Sequence, residues 1–189
     1  MAPPVLVVVA GPPATGKTYC SRLLAQRYAL PCFGKDAFKD AMLARAGTAV
    51  DWPTSRAFSA ASIDALNTIA RELLPQRVSH AIEANFRPEA QTQVLREFKQ
   101  AFECQIVQVQ LACQGDVLLQ RFCDRARAGE SHLGHQGLRF LEHLRPTLEQ
   151  GYLEAFAVES ACVTIDTTDL SRVDCAPLFA LLDCKLEPH

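Results

Sequence analysis

The chain has 189 residues, 49% of them hydrophobic and 21% charged, and a formal net charge of −2 at pH 7. These values fit one globular domain (residues 1–189) with a sizeable core and exclude a disordered chain. They also exclude an overall positive field that would draw the protein to nucleic acid or a membrane surface, although a local basic groove stays open.

No apolar run approaches the ~20 residues of a membrane span. The opening MAPPVLVVVA lacks a basic start and reads as a strand rather than a signal peptide, so a cytoplasmic location is expected. Eight Cys are scattered among apolar neighbours with no C-x-x-C pair, as in QRFCDRA and LLDCKLE. They read as small buried thiols rather than disulfide partners or metal ligands.

In chain order, VLVVVA (5–10) is a continuous apolar run, as expected for a strand covered on both faces. Residues 16–28 carry Leu23, Leu24 and Tyr28 at helical spacing. LPCFG forms a short second strand, and 36–46 is helical. A Trp-Pro turn at 52–53 precedes a long helix whose face is Phe58, Ser62, Leu66, Ile69 and Leu73 and which ends near Pro75. HAIEAN (80–85) is a third strand, and Pro88 opens a helix in its preferred first-turn position, with Val94, Leu95, Phe98 and Phe102 on one face. CQIVQVQLA (104–112) alternates as a fourth strand. Asp116 is the expected cap of a helix containing Leu118, Leu119 and Phe122. ACVTID (161–166) is a fifth strand and 176–183 a short closing helix. Alternating strands and helices imply right-handed crossovers, hence an α/β fold of three layers with a five-stranded parallel sheet.

The first strand leaves through Gly11-Pro12-Pro13-Ala14-Thr15-Gly16-Lys17-Thr18, which matches G-x-x-x-x-G-K-[ST], the phosphate-binding loop. The loop lies after a buried-type strand and before a helix, the context the motif requires. Gly11 allows the sharp turn, and Gly16 lets the backbone approach a phosphate. The amides from Ala14 to Thr18, Thr15 included, point inward as a nest of donors at a helix N-terminus. Lys17 supplies a cation to the β- and γ-phosphates of a nucleoside triphosphate such as ATP, and the Thr18 hydroxyl suits Mg²⁺.

Three further stretches bear on the chemistry. GKDAFKDAM (34–42) places Asp36 at the carboxyl edge of the sheet, where a carboxylate can take the proton of an attacking hydroxyl. Helix capping is the competing role for Asp36. Lys39 follows at i+3 on the same face, positioned for an anionic substrate group. In HAIEANFRPEA (80–90), Glu83 is acidic within an apolar strand, which suits orientation of Mg²⁺ or its waters, while Asn85 and Arg87 are candidate substrate contacts. LLQRFCDRARAGESHLGH (118–135) carries Arg121, Arg125 and Arg127 into a Gly-containing stretch and reads as a lid around 121–135 that closes over the nucleotide and excludes water. Arg121 and Arg125 are the candidate catalytic cations and Arg127 a nucleotide contact. His132 and His135 are loop residues without partners and are not read as metal ligands. GTAVDWPTSRA (47–57) is expected to shape the acceptor pocket, with Trp52 stacking on the acceptor.

At this point the sequence resembles a known group. GPPATGKTYCSRLLAQRYALPCFGKDAFKDAM is similar to the start of the small P-loop kinases grouped with chloramphenicol phosphotransferase, zeta-type toxins, gluconate kinases and polynucleotide 5′-hydroxyl kinases. HAIEANFRPEA and RARAGESHLGH resemble the third-strand and lid stretches of that group, and the likeness extends to DTTDL (166–170). The resemblance implies strand order 2-3-1-4-5, Mg·ATP as donor, Asp36 as base, a lid from the Arg residues of 121–127, and Thr167 and Thr168 near the adenine. Glu83 stands where adenylate kinase-like members carry Asp, and Lys39 where polynucleotide kinases carry Arg; Lys lacks the bidentate fork for phosphate. The expected activity is transfer of the γ-phosphate of Mg·ATP to a hydroxyl of a small-molecule acceptor. A polynucleotide 5′-kinase and a nucleotide-binding ATPase or switch without an acceptor are the alternatives.

Overall fold

The computed structural model describes residues 2–47, 50–128 and 138–186. Its centre is β1 (Val5–Ala10), every residue of which is buried. The run of Val and Leu is apolar on both faces because the strand has neighbours on both sides and helices above and below. β3 (His80–Ala84) and β4 (Gln105–Ala112) pair with it in parallel, in registers that set Val9 against Glu83 and Ala10 against Gln110. β2 (Cys32–Gly34) and β5 (Ala161–Asp166) are the edges, giving the order β2-β3-β1-β4-β5. The order that the resemblance implied is the one observed.

Helices cover both faces. Cys20, Leu24 and Tyr28 of α1 (Lys17–Tyr28) and Leu178 and Leu182 of α7 (Ala176–Asp183) pack on the Val5, Val7, Val9 side of β1. The Leu6, Val8, Ala10 side is covered by Leu66, Ala70 and Leu74 from α3 (Trp52–Leu73) and its C-terminal end. Leu95 and Phe98 of α4 (Pro88–Phe102) complete that layer. α2 (Lys35–Ala46) follows β2 directly.

Several elements differ from expectation for identifiable reasons. Trp52 and Pro53 do not turn the chain; they are the first residues of α3, capped by Asp51, whose carboxylate accepts from the Thr54 amide at 2.9 Å. The buried face of α3 is Ser55, Ser62, Leu66, Asn67 and Ala70, so Ile69 and Leu73 are only half-buried. Asp116 lies inside the first turn of α5 (Gly115–Arg127) and does not cap it; Gln114 holds the cap position, without a side-chain bond. The glutamines that make β4 alternate are buried rather than solvated. Gln108 Nε2 donates to the Phe156 carbonyl (2.9 Å) and to Ser160 Oγ (2.7 Å), and its Oε1 accepts from the Phe156 amide at 2.8 Å. That reciprocal pairing satisfies a polar side chain in the core and anchors the segment leading into β5.

One helix has no counterpart in the sequence reading. α6 (Leu141–Gln150) contains Pro146, which removes a helical N–H and hides the element from pattern reading. Leu148 is buried against Cys113 and Leu118, and Leu141 and Leu144 pack on the same cluster. Arg145 reaches Glu142 at 3.2 Å and Glu149 at 3.5 Å on the outer face. All eight Cys are free thiols, but Cys162 and Cys184 are exposed rather than buried. No helix among the described residues is long and apolar enough to cross a membrane.

Candidate active site

The site begins where β1 runs into α1. Gly11 is pressed against β4: a β-carbon there would lie 2.7 Å from the Leu111 carbonyl oxygen and 2.9 Å from Thr15 Oγ1. Close approach therefore dictates glycine at this point. Ala14 (φ 65°) and Gly16 (φ 87°) adopt left-handed backbone, the kind of alternation that forms an anion-binding nest. The Pro12 carbonyl, unremarked in the sequence, is the internal brace of the loop. It accepts from Thr15 Oγ1 at 2.9 Å and from Lys17 Nζ at 2.8 Å. Lys17 is half-buried, and burial pulls its pKa down to about 8 against the opposing pull of Asp36 and Glu83.

Glu83 stands on β3 beside the loop, in register with Gly34 of β2. A β-carbon at Gly34 would come 2.5 Å from Glu83 Oε1, so the carboxylate occupies the room a side chain would need. Oε1 accepts from Thr18 Oγ1 at 2.9 Å, while the buried Oε2 has no hydrogen-bond partner. Burial raises the Glu83 pKa, and Thr18 and Lys17 oppose the shift. A hydroxyl and a carboxylate with a free buried oxygen are the hard oxygen donors that Mg²⁺ takes from protein when phosphates and water complete its shell. The residues fit the ion. Among the described residues no cluster of three or more His, Cys, Asp or Glu offers a rival metal site. Glu83→Gln keeps the shape and the bond to Thr18 but removes the charge. The Mg²⁺ concentration for half-maximal activity is expected to rise roughly 10–100-fold, read from Mg²⁺ titrations of turnover.

Asp36 lies in the first turn of α2, with 60% of its side chain exposed. The cap position is Gly34, so Asp36 does not cap the helix. Lys35 Nζ lies 3.2 Å from Asp36 Oδ1 and donates to Asn85 Oδ1 at 2.7 Å, tying the two predicted residues together. Lys39 is buried and donates to Ser55 Oγ of α3 at 2.9 Å. Trp52 stacks on His143 of α6, with ring centroids 4.5 Å apart and planes 8° from parallel, and contacts Phe140 at 5.2 Å. Its ring thus joins two helices at the cleft wall, where Phe140 and His143 also lie.

One cleft of about 870 Å³ joins these groups. It opens at Lys17, Thr18 and Glu83, passes Lys35, Asp36, Asn85 and Arg87, and continues along α3 past Ser55 and Ser59 toward Asp64. Seven lysines and arginines line it against four carboxylates. Arg125 reaches the cleft and lies close enough to Lys17 to oppose its charge. Arg121 points away: its guanidinium donates to the Thr167 and Thr168 carbonyls at 3.0 and 3.3 Å. Thr167 is buried, with its hydroxyl and amide both bonded to the Ala112 carbonyl. Arg127 pairs with Asp124 at 3.1 Å on the exposed side of α5 and is not on the cleft wall. The rest of the predicted lid, residues 129–135 with His132 and His135, lies outside the described residues. Lys35, Ser55 and Arg22 line the cleft and were missed by the sequence reading. Lys35, adjacent to Asp36, offered the only local signal.

Strand order and phosphate-binding loop together are those of the P-loop kinase-like NTPases. The chain belongs to the AAA domain family (AAA_33), whose model matches residues 6–146. No curated protein matches the sequence. Among solved structures, a candidate kinase from Chloroflexus aurantiacus j-10-fl is 30% identical, with a TM-score of 0.85 over 97% of this chain and 99% of that one. More distant are a sugar kinase from Janibacter sp. HTCC2649 and a gluconokinase from Sinorhizobium meliloti 1021. The first is 21% identical with a TM-score of 0.48, covering 88% of this chain and 86% of that one. The second is 18% identical with a TM-score of 0.49, covering 89% and 86%.

Proposed function

We propose that the protein transfers the γ-phosphate of ATP to a hydroxyl of a small-molecule acceptor. The observation that carries this reading is the continuity of the cleft. It does not end at the P-loop, as hydrolysis alone would permit, but runs past the exposed carboxylate of Asp36 into a polar pocket along α3.

The loop amides and Lys17 hold the β- and γ-phosphates; to reach them, the Lys17 ammonium leaves the Pro12 carbonyl that it holds at 2.8 Å. Thr18 and Glu83 would hold Mg²⁺, which neutralises charge developing on the phosphate oxygens when bound. Asp36 accepts the proton as the acceptor oxygen bonds to the γ-phosphorus and the bond to the β–γ bridging oxygen breaks, releasing ADP. Lys35 holds Asp36 and Asn85 in a fixed relation. Arg125 is the α5 cation placed to spread charge on the transferring group. Arg121, held on the Thr167 and Thr168 carbonyls, serves the nucleoside end of the site rather than the phosphate.

ADP release with Mg·ATP tests the proposal, alone and across hydroxylated metabolites, antibiotics and a 5′-hydroxyl oligonucleotide. The expected result is one acceptor that raises turnover well above background and emerges phosphorylated. Steady hydrolysis that no acceptor alters would instead establish an ATPase or nucleotide switch.

A further inference from the structure

Phosphoryl transfer as described leaves one buried cation without a task. Lys39 is 7% exposed, and its ammonium, with three donors, has a single hydrogen bond, to the neutral hydroxyl of Ser55 at 2.9 Å. No carboxylate among the described residues lies within ion-pair distance of it. Asp36 and Asp40 on its own helix act only from further off, and Lys35 opposes its charge. Burial outweighs both and pulls its pKa down to about 8. An ammonium enclosed against one neutral partner weakens a fold, and an apolar chain of equal length would fill the space without that cost. Packing therefore does not explain Lys39. Its place does: it lines the cleft beyond Asp36, with Arg56 and Arg87 on the same walls.

We infer that Lys39, with Ser55 beside it, seats an anionic group of the acceptor, a carboxylate or a phosphomonoester, so that the compound phosphorylated is an acidic alcohol. The inference rests on the phosphotransferase reading and names its substrate class. Asp36 and Lys39 stand three residues apart on α2, which puts their β-carbons about 5–6 Å apart. Both residues line one cleft, so a single acceptor can present its hydroxyl to Asp36 and its anion to Lys39.

The test is transfer of labelled γ-phosphate to matched pairs differing only in charge: glycerate with glycerol, a sugar acid with its polyol, a pentose 5-phosphate with the pentose. A 5′-hydroxyl oligonucleotide is run alongside. One anionic member is expected to be phosphorylated with kcat/KM at least about tenfold above its neutral partner, and its identity separates carboxylate from phosphate. Lys39→Met is expected to raise KM for that acceptor roughly 100-fold, the loss falling on KM rather than kcat, with Lys39→Arg restoring part of it. The ligand-free Met variant is expected to melt no lower than wild type, since it loses a poorly paired buried charge. Equal use of a neutral partner, or an unchanged KM in Lys39→Met, overturns the inference and leaves the kinase reading intact. Label found only on the oligonucleotide overturns the small-acceptor reading, and label on nothing with steady ATP hydrolysis overturns the kinase reading itself.

Discussion

Asp36→Asn is expected to lower phosphoryl transfer by roughly 10²–10⁴-fold while ATP affinity stays within about twofold. The substitution preserves volume and can still accept a hydrogen bond from Lys35, which lies 3.2 Å from Asp36 Oδ1. It removes the negative charge and with it the ability to take a proton. Asp36 lies on α2, outside the phosphate-binding loop, and pairs with Lys35, so nucleotide binding should be largely spared. Single-turnover transfer, measured beside ATP binding by calorimetry, separates the two quantities. A nucleotide switch would tolerate the change, because its function needs no base; unchanged transfer would remove Asp36 from the mechanism.

The second large effect belongs to Lys17. Lys17→Met removes the ammonium that meets the phosphates and is expected to cost roughly 10²–10³-fold in turnover. Its pH signature is distinctive. With a pKa near 8 in the free protein, well below the ordinary lysine value of 10.5, Lys17 is already half neutral at pH 8. Bound phosphates favour the ammonium, so ATP binding takes up a proton near that pH, and affinity declines as pH rises past 8. Calorimetry in two buffers of different ionisation enthalpy reads the proton directly. Lys39 shares the same pKa but lines the acceptor side, so the proton uptake seen with ATP alone should vanish in Lys17→Met. Persistence of the uptake would place it elsewhere.

How much of this was visible in the chain depends on the range of the interactions involved. The five strands and the phosphate loop were legible because their signals are local: a Val-rich run, a fixed spacing of Gly, Lys and Thr, helices opening at Pro88 and closing before β4. The pairing of Thr18 with Glu83 brings together residues 65 positions apart, yet Glu83 still stood out as an acid in an apolar strand. The direction of Arg121 was not legible. Arg121 and Arg125 are one turn apart and alike in type, and only the carbonyls of residues 167 and 168 decide which of them faces the cleft. Helix α6 was hidden by its internal Pro146, and the role of Trp52 was hidden with it, since His143 is the ring it meets. The burial of Gln108 in β4 was not legible either, because its partners Phe156 and Ser160 lie about 50 residues downstream.

The stacking of Trp52 on His143 carries a thermodynamic consequence. Helix α6 meets α3, one wall of the cleft, through that pair of rings, and meets α5, the helix bearing Arg125, through Leu141, Leu144 and Leu148. One helix therefore touches both ends of the cleft. Filling either end is expected to shift the affinity of the other, by a factor that reciprocity makes the same in both directions. The protein's single indole lies at the joint, placed to report that synergy in its own emission.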